Sequence, residues 1–193
     1  ILSGGSVEDL NVAGSVAYGK TAGVGAALAY NGLDNHIGAY LAGGSVTAKT
    51  PATGVSVDVE GKNTGKIYGI GAAVAASQNA AVNGTVVVNH GGSDTEAVVG
   101  EVRPEDGTNT VKDTAVANAK AVKVKAESDD VRVAAAGNVS ASGKVALGGA
   151  VAYNDVGGAS TSTAKASQKT RAALNKTTLT HVKNGSTSVE AVD

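Results

Sequence analysis

The sequence contains no cysteine, methionine, phenylalanine or tryptophan, and only two prolines and five tyrosines among its 193 residues. Without cysteine the chain forms no disulfide bonds and no thiolate metal sites. With so few large side chains it cannot fill a wide core, and its apolar content rests on alanine and valine, beside 27 glycines. Small residues suit the narrow space between closely spaced strands, and β-branched valine favours strands. The composition predicts an all-β protein with a thin core.

Net charge is also nearly absent, with 16 lysines and arginines against 17 aspartates and glutamates. No overall field attracts the chain to nucleic acid or to an anionic membrane. Residues 67–93 lack Asp, Glu, Lys and Arg and are long enough to span a bilayer, but four polar amides in this stretch would be costly there: Gln78, Asn79, Asn83 and Asn89. We therefore predict no nucleic-acid partner and no membrane insertion by this segment.

Repetition is the strongest pattern in the chain. Residues 15–31 align without a gap with residues 73–89, an offset of 58, and with residues 138–154, an offset of 123. The alignment superimposes three asparagines, Asn31, Asn89 and Asn154. Self-similarity at a fixed period indicates stacked structural units. The approximate repeats are 7–64, 65–129 and 130–193.

Matches continue downstream of these segments. IGAYL (37–41) resembles TEAVV (95–99) and, more weakly, STSTA (160–164). In GVSVDVE (54–60), valines alternate with polar residues, and the segment matches AVKVKAE (121–127) and STSVEAV (186–192). Alternation with a period of two is typical of a strand with one buried face.

Two architectures use many short strands of this kind. Antiparallel sandwiches and propellers usually have hairpin turns and larger aromatic residues in the core. A parallel β-helix stacks coils of about twenty residues at about 4.8 Å. Small inward residues and asparagines at turns favour the β-helix, with about three coils per sixty-residue repeat and a rod roughly 45 Å long. Residues 1–193 are then a single β-helical fragment of a longer protein.

This interpretation assigns an inward-facing set and a set of corners. Asn31, Asn89 and Asn154 are expected to end strands where the chain turns, because asparagine tolerates the left-handed conformation. The residues expected to face inward are Val24, Leu28, Ile37, Leu41, Val55, Val57, Val82, Val86, Val99, Val122, Val124, Leu147, Val151 and Val189.

The repeats differ most in three loop insertions, 42–54, 100–121 and 165–186. Pro51 and Pro104 fall inside them, which is consistent with loops because proline is excluded from central ladders. Loops at one angular position of a solenoid line up along one side, where binding surfaces usually form. Six basic residues of the second and third insertions are the candidates for contact with a partner: Arg103, Lys112, Lys169, Arg171, Lys176 and Lys183.

Motifs for catalysis or cofactor binding are missing. The chain has no phosphate-binding loop, GxSxG or HExxH sequence. His36 and His90 are expected in turns about three coils apart, on the order of 14 Å, which is too far to share one metal ion. Neighbouring carboxylates such as Glu105 and Asp106 are interpreted as solvated turn residues. We predict no catalytic, cofactor-binding or metal-binding residues and no enzymatic activity.

The units GVGAALAYN…HIGAYLAGGSVTA and VKVKAESDD…GKVALGGAVAYN resemble repeats of very large bacterial surface adhesins, the filamentous-haemagglutinin and leukotoxin-like exoproteins. These are secreted by type V routes, as autotransporter passengers or by two-partner secretion. The resemblance implies a right-handed, single-stranded parallel β-helix within a fibre exported through the outer membrane to the cell surface. It further implies a virulence role in attachment to a protein or glycan of host cells, matrix or other bacteria. It supplies no functional residues.

Two other functions remain open. A carbohydrate-active β-helix enzyme, such as a polysaccharide lyase or hydrolase, needs carboxylates and basic side chains converging in a groove. An ice-binding or surface-binding β-helix needs flat rows of threonine, and the threonine-rich runs 160–163 and 177–178 each occur only once. A non-catalytic adhesin segment is the preferred hypothesis.

Overall fold

The computed structural model describes residues 1–103, 108–157 and 168–193. The described residues form strands, turns and bends, with no helix among them. The strands are β1 (Leu2–Gly19), β2 (Ala22–Leu41), β3 (Gly44–Thr47), β4 (Val55–Ser77), β5 (Ala80–Val99), β6 (Glu101–Val102), β7 (Thr110–Val111), β8 (Thr114–Ser142), β9 (Val145–Val156), β10 (Lys169–Leu174) and β11 (Thr177–Val192).

The long strands belong to two parallel sheets. In the first sheet the order is β1-β4-β8-β11, with β3 also beside β8, and in the second it is β10-β5-β2, with β9 also beside β5. Long strands consecutive in the chain, such as β1 and β2 or β4 and β5, alternate between the sheets, so the chain winds as a two-sheet coil. Only β6 and β7 form an antiparallel ribbon among the described strands. The predicted all-β, parallel architecture is confirmed.

Each sixty-residue repeat is one coil. Asn31 lies beside Asn89, and Asn89 beside Asn154, so successive coils are offset by 58 and then 65 residues. These two offsets add up to 123, so the alignment offsets of 58 and 123 residues correspond to one coil and to two coils. The expected three coils per repeat and the 45 Å rod were wrong, because β1, β2 and β4 run for 18, 20 and 23 residues through the positions interpreted as turns. Four stacked strands span only about 15 Å along the coil axis.

The two edges of the coil differ. Two-residue turns, 20–21, 78–79 and 143–144, join the first sheet to the second at what we call the turn edge. Segments of unequal length return the chain to the first sheet at the opposite, connection edge: residues 42–54, 100–113 and 175–176. The half of each long strand next to the turn edge is called the turn half, and the other the connection half.

The predicted insertions are not loops throughout. The first contains β3, the second contains β6, β7 and the start of β8, and the third contains β10 and the start of β11. Pro51 lies in a turn of the first, whereas Pro104 and residues 160–167 lie outside the described part of the chain. The counterpart of IGAYL and TEAVV in the third coil is TRAAL (170–174) and not STSTA, because Thr170 lies beside Thr95. β-branched and apolar residues at 170–174 continue the ladder of β5.

Valine fills the core of the connection half. Val59, Val99, Val122 and Val124 are fully buried between the sheets, with alanines of neighbouring strands around them. The predicted inward positions of this half, Ile37, Leu41, Val55, Val57, Val99, Val122 and Val124, are confirmed. Val189 lies beside Val124 but is 46% exposed, because β11 is the last strand of its sheet.

In the turn half the expected orientation was wrong. Val24 and Leu28 are 72% and 68% exposed, and Val82, Val86, Leu147 and Val151 also point outward. Glycine, alanine and asparagine take the inner positions instead. The physical reason is the close approach of the sheets: a Cβ added at Gly69 would lie 2.6 Å from Cγ1 of Val87. Val87 is fully buried between the sheets here, and the glycines of the opposite strand leave the space for it.

The three aligned asparagines lie within strands and not at corners. Asn31 and Asn89 are buried between the sheets, and the Asn89 amide donates to the Oδ1 of Asn154 over 2.9 Å. Asn89 also donates to the carbonyl of Val133 in the opposite sheet over 2.8 Å. The expectation that these residues end strands was wrong. Their side-chain amides form hydrogen bonds between neighbouring coils and between the two sheets, and this role places them inside strands.

Candidate partner-binding site at the connection edge

The six predicted partner-binding residues separate into two groups. Arg103, Lys169 and Arg171 converge on the outer side of the second sheet, next to the connection edge. The other three lie in or near the connections and are exposed to solvent: Lys112, Lys176 and Lys183. The two groups have different electrostatic surroundings.

Glu96 is the centre of the first group. It lies on β5 between Gly38 of β2 and Arg171 of β10, and its side chain is fully buried. Its carboxylate accepts hydrogen bonds from Arg103 Nη1 at 3.0 Å and Lys169 Nζ at 2.8 Å. The Tyr40 hydroxyl donates to its Oε2 at 2.9 Å. Gly38 provides the space for the Tyr40 ring, because a Cβ there would overlap it.

These contacts change the acidity of the cluster. Burial raises the pKa of Glu96, but hydrogen bonds from Lys169, Tyr40 and Arg103 outweigh it and bring that pKa down to about 2. Burial raises the pKa of Tyr40, and its bond to Glu96 raises it further. Burial also raises the pKa of Asp94, against the attraction of Arg103 and Lys169. Glu96 is therefore a permanent anion at neutral pH.

Glu101 forms a second buried anion beside it. Arg171 donates two hydrogen bonds to its carboxylate, at 3.2 and 2.7 Å, and Asn175 donates another. The bonds from Arg171 hold the pKa of Glu101 below its usual range. Arg103, Lys169 and Arg171 therefore neutralise carboxylates of the protein itself, and their positive charge is largely used within the fold.

The second group remains open to solvent. Lys112 packs close to Gly43, and the carbonyl of Lys176 accepts a hydrogen bond from Thr114 N at 3.1 Å. Lys183 lies at a register irregularity of β11, between His181 and Ser186. Two further lysines are exposed in the same region, Lys49 and Lys120, with Asp113 as an acidic neighbour. Sequence reasoning missed Lys49 and Lys120, although they lie in the first and second predicted insertions.

A shallow cleft of about 340 Å³ lies where β9 ends and β10 begins. It is lined by Ser128, Asp129, Asp130, Arg132, Val156, Gln168 and Asp193. Asp130 accepts hydrogen bonds from Asn63 at 3.1 Å and Gln168 at 3.1 Å, and from Ser93. Arg132 Nη2 lies 3.8 Å from Asp130, while the buried Arg132 Nε has no hydrogen-bond partner. Three carboxyl groups and a guanidinium thus meet in one cleft.

The histidines occupy other positions than expected. His36 and His90 are on adjacent strands, and not in turns three coils apart. His90 Nδ1 lies 2.7 Å from Asp155, and His36 Nε2 lies 3.4 Å from the Tyr40 hydroxyl. Among the described residues, His, Cys, Asp and Glu form no group of three that could hold a metal ion. The part of the chain that the structure describes has no helix able to span a membrane.

Comparison with known proteins gives no match to a family model, to a curated protein or to a solved structure.

Proposed function

We propose that this chain is a non-catalytic structural and binding segment of a secreted bacterial surface adhesin, acting in attachment to cells or matrix. The parallel coil supports this proposal, because stacked coils can be extended without a change of design. The connections support it also, since they vary in length and gather along one edge. Surface-exposed connections held on a rigid scaffold are the usual place for recognition.

The observation that carries the binding role is the set of exposed lysines at the connection edge. The exposed side chains are those of Lys112, Lys176 and Lys183. In contrast, the buried carboxylates of the fold accept hydrogen bonds from Arg103, Lys169 and Arg171. Flexible ammonium groups that protrude from one edge suit an acidic partner. The partner we propose is an acidic glycan or protein of a host cell, the matrix or another bacterium.

Binding to a panel of sulfated and sialylated glycans and matrix proteins tests this role. The informative variant replaces Lys112, Lys176 and Lys183 with serine, and the matched control replaces Lys20, an exposed lysine at the turn edge. We expect the triple variant to lose at least tenfold in affinity, and binding to weaken with added salt. Equal binding by both variants would remove the connection edge as the contact surface.

Export to the cell surface by a type V route is part of the same proposal. The near-neutral composition without cysteine is compatible with an unfolded chain that folds after crossing the outer membrane. Digestion of intact source cells with an added protease tests this location. Loss of the chain from intact cells supports surface display, whereas protection until the cells are lysed contradicts it.

A carbohydrate-active enzyme is the second candidate, and the cleft at Asp130 is the observation that favours it. Carboxylates near a basic side chain are the groups that polysaccharide lyases and hydrolases need. Against this, the carboxylate of Asp130 already accepts hydrogen bonds from three neighbouring side chains of the protein. The cleft is more consistent with a structural network.

Incubation with neutral and acidic polysaccharides, followed by reducing-end and unsaturated-product assays, distinguishes the two functions. An adhesin segment releases no product from any polysaccharide. Product formation that disappears in Asp130→Asn but persists in Asp58→Asn, an exposed aspartate on β4, would establish the enzyme instead.

A further inference from the structure

The turn half of the coil carries two outer faces with no charged side chain. On the first sheet, fifteen outward positions in three strands are aligned side by side: Leu10, Val12, Gly14, Val16 and Tyr18 on β1, Tyr68, Ile70, Ala72, Val74 and Ala76 on β4, and Val133, Ala135, Gly137, Val139 and Ala141 on β8. Tyrosine hydroxyls are the only polar side-chain groups among them. We call this surface face one.

The second sheet repeats the arrangement on the opposite side of the coil. Its fifteen outward positions are Ala22, Val24, Ala26, Leu28 and Tyr30 on β2, Ala80, Val82, Gly84, Val86 and Val88 on β5, and Val145, Leu147, Gly149, Val151 and Tyr153 on β9. We call this surface face two. Four of the five tyrosines of the chain therefore lie on these two faces, and tyrosine is enriched in protein interfaces.

The polarity of this half is inverted relative to an ordinary two-sheet protein. Inner positions hold asparagine, serine and threonine beside glycine and alanine, while the outer positions hold valine, leucine and tyrosine. Val16 is 84% exposed and Tyr18 is 75% exposed. Because contiguous apolar patches on soluble monomers rarely exceed a few hundred Å², two such faces on one chain indicate a contact surface.

The size of each face indicates the kind of contact. Nine residues at about 3.3 Å and three strands at about 4.8 Å give roughly 400 Å² for one face and roughly 800 Å² for both. A stable interface needs about 800 Å² from each partner. Each contact through one face therefore supports only weak association, and two faces on opposite sides allow one chain to contact two neighbours.

We propose that the turn halves of separate copies of this chain stack face to face, through face one and face two, into layered assemblies. Sheets pack at about 10 Å with interdigitating side chains, and two copies present rows with the same 4.8 Å spacing. Two uncharged apolar surfaces with the same row spacing bury each other without leaving a charge unpaired, which a charged partner would not do. The lysines of the connection edge stay outside the contact.

A second copy fits these faces better than a lipid surface. The outer strands β1 and β2 each have one unpaired edge, and open sheet edges do not occur in the hydrocarbon of a bilayer. The turn half also has little basic charge with which to reach anionic headgroups. Both properties are compatible with stacking between proteins, in which the edges stay in water.

Sedimentation equilibrium of the full chain between about 5 μM and 1 mM tests the proposal, a range suited to weak interfaces. We expect the average mass to rise with concentration from the 18.7 kDa of one chain to several multiples. Val16→Lys with Val74→Lys alters face one, and Leu28→Lys with Val86→Lys alters face two. Each pair is expected to lower the average mass, and the combined variant to stay at 18.7 kDa.

Ser56→Lys is the matched control, because Ser56 is an exposed outward residue of β4 in the connection half. It is expected to assemble as the unmodified chain does. If lysine prevents folding, as judged by circular dichroism, threonine at the same four positions keeps a β-branched or strand-compatible polar side chain and is expected to weaken assembly in the same direction.

Three results would overturn the proposal. The first is an unmodified chain that remains a monomer throughout the range. The second is a four-position variant that assembles as the unmodified chain does, since association would then occur through strand edges. The third is a monomer that cosediments with phosphatidylcholine vesicles, since the faces would then bind lipid.

Discussion

The side-chain amide of Asn31 donates a hydrogen bond of 2.8 Å to the amide oxygen of Asn89, within the narrow turn half of the coil. Asn89 repeats the contact with Asn154 and also donates to a carbonyl of the opposite sheet. An amide has both donors and an acceptor, so identical residues on successive coils can bond in a continuous row. This row holds the coils in register and the two sheets together.

Replacement of Asn89 by alanine is expected to destabilise the protein by about 2 to 3 kcal/mol, because it leaves polar groups unpaired in a buried space. Asn154→Ala is the control. Asn154 lies at the exposed end of the row, so its loss is expected to cost less than about 1 kcal/mol. Urea unfolding followed by circular dichroism measures both. Equal losses would show that the row contributes nothing beyond one surface bond.

A methyl group at Gly69 is expected to force the sheets apart. Its Cβ would lie 2.6 Å from both Asn89 Oδ1 and Val87 Cγ1. Overpacking of this kind costs about 1 to 3 kcal/mol. In contrast, Gly137→Ala places a methyl on the outer side of β8, with no atom within 4 Å, and is expected to be neutral or stabilising by about 0.5 kcal/mol. Thermal unfolding of the two variants is the measurement, and a similar melting temperature for both would contradict the close approach.

Arg171 is expected to matter more for stability than for partner binding. Arg171→Ala removes two hydrogen bonds to the buried Glu101 and leaves the one from Asn175, which is expected to cost about 3 kcal/mol. Arg171→Lys keeps the charge without the two-pronged geometry and is expected to lie between the alanine variant and the unmodified chain. Lys112→Ala, at an exposed position, is expected to change stability by less than about 0.5 kcal/mol. Denaturant titration orders the three variants, and an order with Lys112→Ala as the most destabilising would contradict it.

Glu96 makes the stability of the fold depend on acid pH. Its pKa of about 2 in the folded protein lies below the ordinary value of 4.5. Its carboxylate therefore stabilises the fold above pH 4.5, and this contribution is lost as the pH falls toward 2. We expect Glu96→Gln to remove this dependence, with a difference in slope on the order of 1 kcal/mol per pH unit. Urea unfolding at a series of pH values from 2 to 6 measures the slope.

Tyr40→Phe provides the intermediate case for the same experiment. It keeps the carboxylate of Glu96 and removes one of its hydrogen-bond donors, so the pKa of Glu96 is expected to rise. The loss of stability still begins near pH 4.5, the pKa of the unfolded state, but it is expected to end at a higher pH and to be smaller in total than in the unmodified chain. Parallel pH profiles for the unmodified chain and Glu96→Gln would show that Glu96 does not carry the dependence.

The repeat was readable from the sequence, but the size of the coil was not. The gapless match of 15–31 with 73–89 is the register of the strands, because residues that stack on one another experience the same surroundings. Strand length could not be inferred, since glycine and asparagine usually indicate turns. Here they occupy inner positions where the sheets approach closely. The match of 54–60 with 121–127 was displaced by two residues, because Val57 lies beside Val122 and alternation repeats every second residue.

Side-chain orientation was predictable in one half only. In the connection half, Val55, Val57 and Val59 alternate with polar residues, so the buried side is unambiguous. In GVGAALAYN, apolar residues alternate with smaller apolar residues, and hydrophobicity alone chooses the larger side chains for the core. Only the distance between the sheets, a property of both strands together, decides in favour of glycine and alanine.

The charged cluster could not be predicted for a similar reason. Tyr40, Glu96 and Arg171 are separated by more than fifty residues along the chain and meet only because β10 lies beside β5 in one register. The charge of each candidate residue was predictable from the sequence. Which of these residues would be neutralised by a buried carboxylate was not.

The two-strand coil has a consequence for proteins built on this plan. One repeat of about sixty residues adds only about 4.8 Å of height, yet it adds two strands of about twenty residues, each some 65 Å long. Duplication or loss of a repeat would leave the reach of such a protein nearly constant while changing its breadth of contact. The number of repeats would then set the contact area between neighbouring molecules, and with it the strength of their adhesion.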